Sequence, residues 1–164
     1  MPTSAPPQFT RRRERLVLLV LAAVQFTSIV DFMVVMPLGP QLARDLGLSP
    51  ARFSLIVSSY TYSAGLAGLL ASVLLDRHAR RPAFLALFAG FLAGTLACGL
   101  APTYGWLLAA RVLTGAFGGV LGGLAMAVGG DVFPESRRGA ATGTLMSAFA
   151  LASVAGVPAG LALG

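Results

Sequence analysis

Residues 104–130 read YGWLLAARVLTGAFGGVLGGLAMAVGG. The stretch carries a single charge, Arg111. A helix of that length, at about 1.5 Å per residue, exceeds the roughly 30 Å hydrocarbon core of a bilayer. A membrane strand would instead need segments of about ten residues with alternating polarity, which are absent. The stretch reads as a spanning helix, and the rest of the chain follows the same pattern.

Working outward, apolar runs predict spans at 16–38, 53–75, 83–101, 104–130 and 140–164. Residues 1–15 are polar and proline-bearing, and read as a disordered tail. Ser49 and Pro50 suit the N-cap and first turn of the second helix. Pro102 and Thr103 make a minimal turn between the third and fourth. The expected fold class is an all-α, polytopic membrane helical bundle with five transmembrane helices. Composition agrees: 56% of the 164 residues are hydrophobic and 11% charged, with a mean hydropathy of +0.80. A soluble domain carries about 25% charged residues, and so apolar a chain is not disordered. Arg11 to Arg15 followed by an apolar run imitates a signal peptide, but the run continues to Leu38, too long for a signal core.

The net charge is +6, and all twelve basic residues are Arg. They sit in short clusters between apolar runs, not along one polar face, which argues against nucleic acid as a partner. With no Lys, the Gly-rich stretch 115–123 cannot be a Walker A loop. Nine arginines fall in the tail and in the loops 76–82 and 131–139, against Arg44 and Arg52 on the other side. The positive-inside rule then places the N-terminus in the cytoplasm of a multi-pass inner (plasma) membrane protein. One cysteine, Cys98, and one histidine, His78, make no metal site. No cofactor site is visible, and an enzyme is not expected.

Asp31 and Arg111 lie inside apolar spans, where each charge costs about 2.5–3.5 kcal/mol on insertion scales. Asp31 is about 22 Å above the cytoplasmic start of its helix, and Arg111 about 20 Å above the same side. At one level, they are candidates to pair. Two readings stand side by side: a structural ion pair locking two helices, and a proton-titrating or substrate-sensing carboxylate tuned by Arg111. Thr27 and Ser28 add a short polar stripe one turn before Asp31. On the Arg111 face come Thr114, Gly115, Gly118, Gly119 and Gly122, small residues that permit close helix approach or an opening cavity. Gly90 and Gly94, and Gly156, Gly160 and Gly164, have similar spacing. Pro158 should kink the fifth helix. Tyr60 and Tyr62 read chiefly as lipid or core packing.

These residues together resemble the N-terminal half of a major facilitator superfamily transporter, especially its drug:proton antiporter and sugar-efflux branch. The segment Ser72 to Arg81 is similar to motif A, G-x-L-A-D-R-x-G-R-R, with both glycines replaced, by Ser72 and Ala79. The resemblance implies a cytoplasmic latch carried by Asp76, Arg77, Arg80 and Arg81, with Asp131 as a charge-relay partner. Arg111, Gly115 and Gly119 resemble motif B, R-x-x-x-G-x-x-x-G, whose arginine is implicated in proton coupling. Gly156, Pro158 and Gly160 resemble motif C, the antiporter signature, with Val157 where that motif has glycine.

The resemblance implies six-helix halves built from 3+3 inverted repeats, substrate near the midplane, and alternating access by rocking. Five spans then stop short of a half, and 164 residues read as a fragment lacking its C-terminal half. The expected function is proton-coupled efflux of small organic compounds or drugs. Its partners would be a small-molecule substrate, protons, the lipid bilayer and the missing half. Uptake of a sugar or metabolite is the alternative transporter reading, and a non-transporting membrane scaffold the alternative of another class.

Overall fold

A computed structural model describes residues 11–74 and 80–132, and beyond them 139, 142–144, 146–147, 150–152, 154 and 158. Four helices emerge: α1 (Arg11–Asp45), α2 (Pro50–Leu74), α3 (Arg80–Gly99) and α4 (Tyr104–Val132). Each is long and apolar enough to cross a membrane. No strand occurs among the described residues. The fold is an all-α membrane bundle. Of the fifth expected span, 140–164, only short stretches and single residues are described, all helical.

Helix α1 departs most from the expected 16–38. It begins five residues earlier, so Arg11 to Arg15 are helical and not part of a disordered tail. Residues 8–36 contain no Gly or Pro, and Arg and Glu are good helix formers, so nothing stops propagation into the polar end. At the other end the helix passes Pro37 and Pro40 and runs to Asp45, where a loop from Gly39 is expected. An interior proline removes a hydrogen bond and crowds the preceding turn. Packing offsets that here. Leu42 and Ala43 join Val35, Leu48, Phe53, Ile56 and Leu107 in one apolar cluster. A Cβ on Gly39 would lie 2.7 Å from the Phe53 ring, so α1 and α2 nearly touch there.

Gly47 stops α1. Its φ of 60° is left-handed. The Leu48 N–H donates to the Ala43 carbonyl at 2.9 Å, and Leu46 N–H to Leu42 at 3.0 Å. This is a Schellman ending, with Leu48 buried beside the residues it caps. The next helix starts at once. Ser49 Oγ accepts from the Arg52 N–H at 3.4 Å, as the N-cap reading expects.

The α3–α4 turn is clasped twice. Thr103 Oγ1 accepts from the Trp106 N–H at 3.3 Å, and the Trp106 indole N–H donates to the Ala97 carbonyl at 3.1 Å. The guanidinium of Arg52 lies 5.3 Å from the Tyr104 ring, joining α2 and α4 at that end. Helix α3 begins at Arg80, not 83, because Pro82 falls in the first turn, where proline is tolerated.

Helix α4 is the hub. It packs most extensively on α2, then on α3, and more sparsely on α1. Phe91, Ile56, Leu121 and Thr114 are fully buried around it. The outer faces carry Leu66, Leu69, Leu85, Leu96 and Leu100, all exposed. Apolar side chains on that surface are what hydrocarbon requires.

Candidate functional site

Deep in the bundle, α1 and α4 bring Asp31 and Arg111 together. They are 6% and 4% exposed. Arg111 Nη1 donates to Asp31 Oδ2 at 3.2 Å. The same nitrogen donates to the Asp31 main-chain carbonyl, also at 3.2 Å. One nitrogen thus grips both the side chain and the backbone of α1, while Arg111 Nε has no hydrogen-bond partner among the described residues. The depth expectation is met. Two residues 80 apart in the chain share one level and one contact.

Two more helices complete the surroundings. From α2, Tyr60 is 8% exposed, and its ring centroid is 5.9 Å from Arg111 Cζ, within cation–π range. The Phe32 ring packs on Tyr60 with centroids 5.3 Å apart and planes tilted by 41°. From α3, Thr95 is turned toward the Asp31 carboxylate, its Oγ1 buried and without a hydrogen bond of full geometry. Cys98 Sγ lies 3.7 Å from Thr114 Oγ1, which itself donates to the Ala110 carbonyl at 2.7 Å.

Gly115 and Gly119 of α4 are packing contacts. A Cβ on Gly115 would overlap the Tyr60 carbonyl and Ser63 Oγ, and one on Gly119 would overlap the Ala64 carbonyl. On the α3 side, a Cβ on Gly94 would meet Thr114, and one on Gly90 would meet Phe117. By contrast, Thr27 and Ser28 turn their hydroxyls onto their own helix, to Ala23 at 2.9 Å and Val24 at 3.1 Å. They form no stripe toward the pair.

The remaining candidates are not brought into this site. Asp76, Arg77, Gly156 and Gly160 lie outside the described residues. Arg80 and Asp131 sit in α3 and α4, with their side chains outside the description, and Arg81 is exposed. Pro158 is helical and exposed. Among the described residues no three metal-ligating side chains converge.

Tyr60, expected as lipid or core packing, is buried as core packing requires, but its place beside Arg111, like that of Thr95 beside Asp31, is what sequence reasoning missed. Both lie on apolar helices with nothing in their spacing to set them apart. What selects them is lateral adjacency between helices, which periodicity along one helix does not encode.

Comparison with known proteins now adds to this geometry. The chain is 32% identical over 130 residues to the inner membrane transport protein YdhP of Escherichia coli K12, covering 78% of this chain and 33% of that protein. It is 35% identical over 127 residues to the puromycin resistance protein pur8 of Streptomyces alboniger, covering 77% and 25%. With YwfA of Bacillus subtilis 168, an uncharacterized MFS-type transporter, it shares 31% over 149 residues, covering 91% and 36%. The chain thus spans from a quarter to just over a third of these relatives. Residues 21–164 match the profile of the Major Facilitator Superfamily. With that match covering most of its length, the chain belongs to the major facilitator superfamily.

Proposed function

We propose that this chain forms part of a secondary transporter of the inner membrane that exports small organic compounds in exchange for protons. The observation that carries the reading is the buried Asp31–Arg111 pair between two membrane-spanning helices. An ion pair far from water is retained at high cost unless it is used or tightly satisfied. This one is joined through a single guanidinium nitrogen, an arrangement that can be dissolved by protonating the carboxylate. In the proposed cycle, proton binding to Asp31 weakens the charge link between α1 and α4 and favours one access state. Proton release restores it. The puromycin resistance relative favours export as the direction.

Two further parts belong to the proposal. The loop carrying Asp76, Arg77, Arg80 and Arg81, with Asp131, would latch the cytoplasmic side, and the Arg-rich ends would keep the N-terminus in the cytoplasm. Gly156, Pro158 and Gly160 would give the fifth helix its gating bend. Val157 in the motif C-like stretch favours a second reading, proton-coupled uptake.

The test uses the full-length protein in cells stripped of other exporters. Ethidium and puromycin accumulation are measured with and without a proton uncoupler. Export predicts low accumulation that rises on uncoupling, and loss of that response in Asp31→Asn. Accumulation that falls on uncoupling would favour uptake. Proton-driven transport intact in Asp31→Asn would remove the coupling role of the pair.

A further inference from the structure

We propose that Tyr60 is the second partner of the Arg111 guanidinium, holding it in the site when the Asp31 carboxylate is neutral. The inference rests on the reading above, in which Asp31 takes up and releases a proton.

Three observations carry it. The Tyr60 ring is buried, with its centroid 5.9 Å from Arg111 Cζ. Attraction between a cation and a ring face grows when both are removed from water. Second, the ring is held in place from two sides. Phe32 of α1 packs on it at 5.3 Å, and α4 is hollowed to receive it. A Cβ on Gly115 would overlap the Tyr60 main chain, and one on Gly118 would stand 2.7 Å from the phenol oxygen. Arg111, Gly115 and Gly118 lie on one face of α4, so the helix that presents the cation also makes room for the ring one and two turns on.

Third, among the described residues few groups face Arg111. Asp31 comes from α1, Tyr60 from α2 and Cys98 from α3, while α4 itself offers the non-titrating Thr114. The thiol of Cys98 is engaged with Thr114. Once Asp31 is protonated, no other carboxylate among these groups faces the guanidinium. Beside the Asp31 main-chain carbonyl, which Nη1 still holds, the electron-rich face of Tyr60 is then the attraction left to the guanidinium among these groups.

This has a directional consequence. A buried cation left with a single carbonyl is costly, so losing the ring penalises the protonated state of Asp31 more than the ionised one. Asp31 then stays ionised to lower pH.

The experiment is an infrared titration of the full-length protein in proteoliposomes. The carbonyl stretch of the protonated carboxyl is assigned to Asp31 by its loss in Asp31→Asn. The amide band reports folding in each variant. Tyr60→Leu should move the titration midpoint down by about one pH unit, a roughly tenfold change. Tyr60→Met, which fills space without a ring, should do the same and covers the case in which the leucine variant does not fold. Tyr60→Phe keeps the ring face and should restore the midpoint to within about 0.3 unit. A wild-type midpoint in the folded aliphatic variants would overturn the inference, as would a phenylalanine variant that shifts as far as they do. If no band lost in Asp31→Asn titrates in the wild type, the proton-binding reading itself fails and takes this inference with it.

Discussion

Helix α4 meets α2 and α1 in opposite ways. Against α2 the contact is backbone to backbone, with Gly115 and Gly119 set so close to Tyr60 and Ala64 that no side chain fits between. Against α1 the contact is sparse, and its centre is a charge pair held through one nitrogen. Gly122, which looks toward α1, has only Gln25 Oε1 within reach of an added Cβ, at 3.9 Å. The first seam is fixed by shape. Shape complementarity is insensitive to protons and has one solution. The second adds to a thin apolar contact, Leu21 on Ala125 and Val24 on Leu121, a charge pair, and charge can be removed by a proton. A bundle that must keep one pair of helices together while another shifts needs both kinds.

The largest effect should come from breaking the shape-fixed seam. Gly119→Val drives a side chain into the Ala64 main chain, beyond the ordinary overpacking cost of about 1–3 kcal/mol. The expected outcome is loss of monodisperse protein in detergent, read by size-exclusion fluorescence. Next comes the charge seam. Arg111→Leu leaves a buried carboxylate without its cation, costing about 3–5 kcal/mol, which chemical unfolding in micelles would measure. Asp31→Asn should cost distinctly less in the same measurement, since Arg111 keeps the main-chain carbonyl and the Tyr60 ring.

Gly122→Ala sharpens the contrast. It faces the loose seam, and a helical Gly→Ala change is worth up to about 1 kcal/mol in its favour, so the melting temperature should stay level or rise. A destabilisation like that of Gly119→Val would show that the two seams are alike after all. Ser28→Ala should do least, within about 0.5 kcal/mol, because that hydroxyl already bonds to its own helix.

Much of this was legible in the residues. Apolar run length gave the helices, since a bilayer imposes a minimum span and allows few interruptions. Depth counting paired Asp31 with Arg111 because the ends of the apolar runs set the height of each residue along its helix. The ends of α1 were misplaced for an identifiable reason. Pro37 and Gly39 look like a helix stop, but the cluster around Leu48, Phe53 and Ile56 carries the helix past them. The true stop, Gly47, was present in Asp45-Leu46-Gly47-Leu48, an αL glycine with an apolar residue after it. That Tyr60 packs in the core was legible, but its place beside Arg111 was not, because which helix faces which is decided by packing among all of them.

The double grip of Arg111 Nη1 has one more consequence. The carboxylate it holds can be altered by a proton or a mutation, but the carbonyl beside it is present in every amino acid. Position 31 therefore keeps its address on α4 whatever its side chain. Its electrical duty and its positional duty can be separated by a single substitution, a rare convenience in a buried ion pair.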